Sequence, residues 1–224
     1  MIKIKMSAAI LLMIAAAPVW GEIVTPVSVS VTSEFAAGVN LINGSGLSGD
    51  GPVETQLHDN VENNMWQSFS GTPIGETATF ELDANYDLSS ALVWQYNGPD
   101  GNGNPRPDRE VDEFEVFVSP DLVSPFTSIG TFNLAAAADQ TVGPPGGEAA
   151  QTFSLSGASD VRRVQLTINS IHIVDPIVGV NQGDLGGFSE VRFEGSIVPE
   201  PMTFSMFGLG LLTAIGFIRR RRSV

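Results

Sequence analysis

Short runs in which apolar and polar residues alternate fill the middle of the chain. In one of them, Phe114–Val118, successive side chains of a strand would point to opposite faces, which places Phe114, Val116 and Val118 together. Clusters of glycine, proline, asparagine and aspartate separate the runs, as turns do. The central sequence lacks the period of a long amphipathic helix. The pattern therefore predicts a domain built from short β-strands.

Eight segments fit this strand pattern, because β-branched and aromatic residues stand between turn residues. They are Val27–Thr32, Ala78–Leu82, Ser90–Tyr96, Glu113–Val118, Thr127–Leu134, Gln151–Leu155, Val164–Ile168 and Glu190–Ile197. Eight short strands with irregular connections predict an all-β fold, a two-sheet β-sandwich of the jelly-roll type. Gly98–Asp108 and Ala135–Gly147 are predicted to be loops.

The N-terminal residues form a continuous apolar run instead. Lys3 and Lys5 precede the apolar segment Ala8–Ala17, and a cut after Gly21 would complete the pattern of a secretory signal peptide. We expect residues 1–21 to be this signal peptide, with an uncleaved anchor as the alternative. Under both interpretations the residues that follow are exported.

The C-terminal residues form a second apolar run. The segment Met202–Ile218 has no charged residue, and its 17 residues would make a helix of about 25 Å, against a hydrocarbon core of about 30 Å. Arg219, Arg220, Arg221 and Arg222 follow, and the positive-inside rule holds such a cluster in the cytoplasm. We expect a C-terminal transmembrane helix; a buried core helix that ends in arginines is the alternative.

The whole C-terminal segment, residues 198–224, resembles a known sorting signal. Pro199, Glu200 and Pro201, the Gly- and Leu-rich apolar run and the arginine cluster match, in order, the PEP-CTERM signal of Gram-negative bacteria. The resemblance implies recognition and cleavage by an exosortase, a membrane protease, after passage through the inner membrane. It also implies sorting to the cell envelope or release. We therefore expect a signal peptide (1–21), one folded domain (22–197) and a sorting signal (198–224).

The charge of the exported part excludes some partners. The whole chain has a net charge of −14, and six of its 11 basic residues lie in the two terminal segments, so that the central domain has no lysine. A domain this acidic repels nucleic acid, and we expect no nucleic-acid partner. The chain has no cysteine, which excludes disulfides, thiol catalysis and cysteine-bound metals.

A second resemblance covers residues 35–195. Several short motifs follow one another in an order similar to that of the discoidin, or coagulation factor 5/8 type C, domain of the galactose-binding-like fold. They include Asn40–Ile42, His58–Asn60, Met65–Trp66, Val93–Asn97, Arg109–Phe114 and Gly187–Phe193. The cysteine pair of the eukaryotic members is missing. The resemblance implies a β-sandwich that binds carbohydrates, lipid headgroups or protein surfaces, and it does not imply an enzyme.

The same resemblance implies a structural calcium ion. Calcium takes six to eight oxygen ligands. Bacterial sugar-binding relatives place the ion where an aspartate loop before a tryptophan meets a glutamate near the last strand. Asp59 and Glu190 match these two positions, and Asn64 could add a side-chain oxygen. The alternative is that Asp59 caps a turn and Glu190 is a solvated strand end.

The sequence gives little support to catalysis. Only His58 and His172 could serve as imidazole bases, and no nucleophile motif stands in a strand–turn–helix setting. We expect an exported, envelope-sorted, non-catalytic module for carbohydrate or extracellular matrix. One alternative is a structural exopolysaccharide or biofilm matrix protein without a small ligand, and another is a polysaccharide-active hydrolase. For a sugar site the candidate loop aromatics are Phe126 and Phe188, since Trp66 and Trp94 are predicted to be core residues.

Overall fold

A computed structural model describes residues 21–69, 73–99, 106–137, 147–172 and 185–199. The predicted signal peptide up to residue 20, the rest of the sorting motif from Glu200 and Pro201, and the arginines Arg219–Arg222 lie outside these residues. Within the described ranges, no helix is long and apolar enough to cross a membrane.

The described residues form strands joined by loops and four short 3₁₀ helices. The strands are β1 (Glu22–Val24), β2 (Ser28–Val31), β3 (Leu47–Ser48), β4 (Leu57–His58), β5 (Trp66–Gln67), β6 (Thr77–Gln95), β7 (Val111–Ser119), β8 (Thr127–Asn133), β9 (Glu148–Ala149), β10 (Gln151–Ser154), β11 (Val161–Ile171) and β12 (Gly187–Ile197). The 3₁₀ helices are Gly38–Leu41, Val53–Thr55, Glu62–Asn64 and Pro107–Arg109.

The 19-residue strand β6 joins the two halves of the sandwich. Its first half pairs with β2 and β11, and its second half pairs with β10 and β12. The main path runs β1-β12-β6-β11-β7-β8, with antiparallel pairing throughout, and β3, β4 and β9 form a separate small sheet. The register shifts in β11 after Val161 and in β12 after Glu194, and such irregularities bend and twist a strand.

Aromatic side chains from the two halves meet in the core. Phe80 of β6 contacts Phe193 of β12 edge-on, with 5.7 Å between ring centroids. Phe114 of β7 packs edge-on against Phe153 of β10 at 5.1 Å and against Phe188 of β12 at 5.8 Å. Edge-to-face pairs at these distances are favourable beyond the area they bury. The predicted all-β sandwich is confirmed.

Two details of the sequence interpretation are wrong. Ala78–Leu82 and all of Ser90–Tyr96 except Tyr96 itself belong to one strand, since Tyr86 and Leu88 between them are buried and continue the alternation through a polar run. Phe188, expected on a loop, lies inside β12 and is fully buried. It stacks on Trp66, with 6.1 Å between ring centroids.

The sandwich has two ends, which strand β12 connects. At the end we call the loop end, Gly187 pairs with Gln67 and Phe188 pairs with Gln95. At the opposite end, the exit end, Ile197 pairs with Tyr86, and β1 begins beside Gly195. The 11 residues of β12 separate the two ends by about 33 Å at the usual rise of a strand.

Candidate functional site

Buried polar side chains gather at and next to the loop end. Those in the described part of the chain are Asn40, His58, Gln67, Ser68, Gln95, Asn97, Asp108, Arg109, Glu110, Glu148, Ser189, Glu190 and Arg192. Buried polar groups in native proteins are hydrogen-bonded, because an unpaired group costs the free energy of its desolvation. The loops at this end are therefore held by side-chain networks as well as by sheet pairing.

Arg109 is the centre of the first network. Its Nη1 donates to Glu62 Oε1 at 2.7 Å, to Gln67 Oε1 at 2.8 Å and to the hydroxyl of Tyr96 at 3.3 Å. Gln67 Nε2 donates to the same Glu62 oxygen at 3.2 Å. Burial raises the pKa of Tyr96 to about 12, so its hydroxyl stays neutral. This network ties the 3₁₀ helix Glu62–Asn64 to β5 and to the end of β6.

A second network surrounds Glu190 and Arg192. The two side chains form an ion pair, and Glu190 Oε2 also accepts from the backbone N–H of Gly44 at 3.3 Å. Arg192 Nη2 donates to the carbonyl of Ile42 at 2.9 Å. Burial raises the pKa of Glu190 to about 7, against the opposing charge of Arg192. The pair fixes the loop that follows the 3₁₀ helix Gly38–Leu41.

A third group contains Glu110, Glu148 and His58. Burial, helped by the nearby carboxylates of Glu148 and Asp108, raises the pKa of Glu110 to about 8. The backbone N–H of Ala137, which donates to Glu110 at 2.8 Å, acts in the opposite direction. Glu110 is therefore largely protonated at neutral pH. His58 lies directly opposite Glu148 in the pairing of β4 with β9, and burial lowers its pKa.

Two of the three residues predicted to bind calcium contact each other, and the third, Glu190, is paired with Arg192. Asp59 and Asn64 are in contact, since Asn64 Nδ2 donates to Asp59 Oδ2 at 2.9 Å, and Asp59 Oδ1 also accepts from the N–H of Val61. Glu190 is fully buried against Arg192, so a calcium ion at its carboxylate would compete with the guanidinium. Among the described residues, no three His, Cys, Asp or Glu side chains group so that they could hold a metal ion. Calcium binding stays a prediction.

An open groove lies on the surface beside β2. It has a volume of about 540 Å³, and it is lined by residues 29–34 of β2 and the turn after it and by residues 37–39 at the start of the first 3₁₀ helix. Phe35, between these two segments, is 58% exposed. The groove therefore combines apolar valines with polar Ser30 and Ser33, and its lining residues flank an exposed phenylalanine in the chain.

A second exposed aromatic residue, Phe69, lies next to the same segment. The N–H of Phe69 donates to Ser33 Oγ at 2.9 Å, and the N–H of Phe35 donates to the carbonyl of Gln67 at 2.8 Å. Phe69 is 57% exposed. Through Gln67, which binds Arg109, the backbone that carries both rings is joined to the buried network at the loop end.

The sequence did not single out Phe35 or Phe69. Both residues stand outside the predicted strands and next to serine or glutamate. This position was the sequence signal that could have indicated an exposed aromatic ring. The loop aromatics that were considered lie elsewhere. Phe188 is in the core, and Phe126 lies near the exit end beneath the guanidinium of Arg163, at 4.6 Å from its ring centroid.

Comparison with known proteins finds similarity in structure only. No protein-family model matches the sequence, and no curated protein sequence matches it. The similar solved structures include family 32 carbohydrate-binding modules, F5/8 type C (discoidin-like) domains and lectins.

Three of these structures illustrate the level of similarity in sequence identity, coverage and TM-score. Module CBM32-3 of a family 31 glycoside hydrolase from Clostridium perfringens is 16% identical, with 78% of this chain and 95% of that chain covered and a TM-score of 0.48. The F5/8 type C domain from Bacteroides fragilis is 13% identical, with 81% and 100% covered and a TM-score of 0.46. Fucolectin from striped bass serum is 14% identical, with 78% and 48% covered and a TM-score of 0.49. At these values the superpositions assign no residue role or ligand to this chain.

Proposed function

We propose that this chain is an exported, non-catalytic module that binds carbohydrate in the groove beside β2. One observation carries the proposal: the groove, of about 540 Å³, is lined by the residues that precede and follow the exposed Phe35 in the chain, and its residue Ser33 accepts a hydrogen bond from the backbone of the exposed Phe69. Small-molecule sites generally have volumes of roughly 300–1,000 Å³ and combine apolar walls with a few polar groups. The faces of exposed rings offer flat apolar surface for the C–H face of a sugar ring.

The polar side chains of the groove supply the directional contacts. Ser30, Ser33 and Glu34 belong to its lining, and their oxygens can hydrogen-bond to sugar hydroxyls. Glu34 is already oriented, because its Oε2 accepts from the N–H of Gly38 at 2.9 Å. The network of Gln67 and Arg109 supports the neighbouring backbone, and a site that is ordered before binding loses less entropy on binding.

The arrangement of the histidines favours binding over catalysis. A general base must reach the proton that it removes. The ring of His58 is fully buried, and His172 Nε2 lies 2.9 Å from the carbonyl oxygen of Leu134. Neither is a residue of the groove lining. We therefore propose a binding role without a chemical step.

The export and sorting of the module belong to the same proposal. Among the described residues, β1 begins at Glu22, directly after the predicted cut at Gly21, and β12 ends at Ile197, two residues before Pro199 of the Pro-Glu-Pro motif. These bounds are compatible with a signal peptide over residues 1–21, a domain over 22–197 and a sorting signal over 198–224. In this proposal an exosortase-type protease processes the tail, and the ligand is extracellular polysaccharide or a cell-surface glycan.

A glycan array tests the binding role. The full chain, purified in a mild detergent, is applied with calcium and with a chelator. Selective retention on a defined set of glycans is the expected result. Uniform absence of retention under both conditions would contradict the proposal and would leave a matrix protein without a small ligand. Cleavage of a retained glycan would instead indicate a hydrolase.

A further inference from the structure

Both polypeptide connections to the predicted membrane segments leave the sandwich at the exit end. Gly21 precedes β1, whose residue Glu22 pairs with Gly195 near the end of β12. At the other connection, the N–H of Val198 donates to the carbonyl of Asn85 at 2.8 Å. An uncleaved signal anchor and the C-terminal helix would therefore both attach the domain by the same end.

The connection to the C-terminal apolar segment is very short. Val198 is still hydrogen-bonded to the sandwich, and the uncharged run begins at Met202. Four residues span at most about 14 Å even when they are fully extended. The polar layer on each side of a bilayer is itself about 5–8 Å thick. If Met202–Ile218 crosses the membrane, the exit end has to lie at its surface.

The loop between β7 and β8 presents apolar side chains at this end. Leu122 is 49% exposed and Val123 is 90% exposed, and we call these two residues the apolar tip. The loop lies next to the chain exit, because Asn85, which binds Val198, also donates through Nδ2 to the carbonyl of Pro120 at 2.9 Å. The apolar tip and the start of the tail therefore share one rim.

The apolar tip stands on an ordered loop. Asp121 Oδ1 accepts from the N–H groups of Val123 and Ser124 at 2.8 and 2.6 Å. Arg163 donates to the carbonyls of Asp121 and Ser124, at 2.8 Å in each case. A loop held in this way loses little conformational entropy when its exposed side chains enter another phase.

We infer that the exit end rests on the outer surface of the membrane, with the apolar tip in contact with a neutral phospholipid layer and the loop end facing away. The inference rests on the export and sorting part of the proposed function, and it concerns the chain before the protease removes its tail. Asp83, Asp87 and Asp160 lie at this end: Asp83 accepts from the hydroxyl of Tyr86, and Asp87 accepts from the N–H of Asp160. These carboxylates disfavour an anionic lipid surface. The groove lies beside β2, whose residue Val31 pairs with Ala78 near the loop-end start of β6, and it is then displayed toward the exterior.

Site-specific fluorescence tests this orientation. The chain has no cysteine, so Val123→Cys and Ile74→Cys each give one labelling site. Ile74 is a matched control, because it is also exposed (58%) and lies at the loop end. It precedes Thr77, where β6 begins, whereas β6 reaches the exit end at Tyr86. The labelled full chains are reconstituted into phosphatidylcholine vesicles that contain a lipid quencher at headgroup depth, and the vesicles are floated.

The expected result is a blue-shifted emission and strong quenching at position 123, with neither effect at position 74. Equal quenching at the two positions, or none at position 123, would overturn the inference, as would a chain that does not float with the vesicles. Stronger quenching in vesicles that contain anionic lipid would overturn the neutral-surface part. Glycan binding by the same vesicles is measured in parallel, so that a failure of orientation is distinguished from a failure of the binding role.

A longer connection between the sandwich and the C-terminal apolar segment tests whether the short connection holds the exit end at the membrane surface. About ten Gly and Ser residues inserted between Val198 and Pro199 add an average span of about 15–20 Å. We expect flotation to persist and the quenching at position 123 to be lost. Unchanged quenching would overturn the argument that the short connection holds the exit end at the surface.

Discussion

The guanidinium of Arg192 pairs with the carboxylate of Glu190 inside the sandwich, where their side chains are 6% and 0% exposed. One of the three predicted calcium ligands is thus held by a cation of the protein itself. A calcium ion bound through Glu190 would have to share or replace this pair. Asp59 and Asn64, in contact through their side chains, are the accessible part of the predicted ligand set.

Calcium binding is expected to stabilise the folded chain. A ligand that binds only the folded state adds about 2.7 kcal/mol at a concentration of about 100 times its Kd. We expect the melting temperature to rise on calcium titration and to fall in chelator, and Asp59→Asn to remove the effect. Asp50→Asn, the same change at an exposed residue of a nearby turn, is the control. A melting temperature that is unchanged by calcium would contradict the predicted site.

The stability of the protein is expected to depend on pH through Glu110. Its pKa is raised from 4.5 to about 8, chiefly by burial. Below pH 4.5 the residue is protonated in both the folded and the unfolded state; above it only the unfolded chain loses the proton. As the pH rises from 4.5 to about 8, the free energy of unfolding therefore falls. This group contributes at most about 1.4 kcal/mol per pH unit to the fall.

Glu110→Gln, which imitates the protonated side chain, is expected to remove this part of the pH dependence. Urea unfolding at pH 5, 6.5 and 8 measures it. The variant should exceed the parent protein in stability by a small amount at pH 5 and by a much larger amount at pH 8. Glu190, whose pKa is also raised by burial, is present in both proteins and does not affect the difference. The control is Glu54→Gln at an exposed position; parallel curves for parent and Glu110→Gln would contradict the expectation.

Arg109 is expected to hold the loop end together. Arg109→Met removes the donor to Glu62, Gln67 and Tyr96 and leaves the carboxylate of Glu62, 28% exposed, without its ion-pair partner. We expect a loss of about 2–4 kcal/mol in the free energy of unfolding, since breaking a buried pair is more costly than breaking a surface pair. Arg109→Lys keeps the charge but not the planar group and should lose less.

Denaturant unfolding gives the measurement for the Arg109 variants. Arg162→Met, at a half-exposed position of β11, is the control and should change stability little. A loss at Arg109 that is no larger than that at Arg162 would show that the network does not stabilise the loop end.

The sandwich could be predicted from the sequence because its longer strands show their period. In β7 the alternation of Phe114, Val116 and Val118 matches their burial, complete for the first two and partial for the third. Strands of two or three residues, such as β3, β4 and β5, are too short to show a period. The sequence does not predict residues 83–89 of β6 as strand, because the polar residues Asp83, Asn85 and Asp87 in this part are turn formers.

The candidate site was harder to predict, because it depends on distant contacts. The sequence places Arg109 and Glu62 47 residues apart, and only the fold brings them into an ion pair. The segments that carry Phe35 and Phe69 are likewise brought together only by the fold, through hydrogen bonds between residues 33–36 and 67–69. Exposure of an aromatic ring depends on what packs over it, which a local pattern does not record.

The central claim is that sugar binds beside Phe35. The most direct measurement is calorimetric titration of a glycan retained on the array into the parent chain, Phe35→Ala, Phe35→Leu and Val123→Ala. Loss of one stacked ring contact is expected to cost about 0.5–1.5 kcal/mol, or roughly 2- to 12-fold in Kd. The account predicts weaker binding for Phe35→Ala and also for Phe35→Leu, which keeps an apolar side chain without a ring face, and parent-like binding for Val123→Ala at the exit end. Parent-like affinity of both Phe35 variants would contradict it.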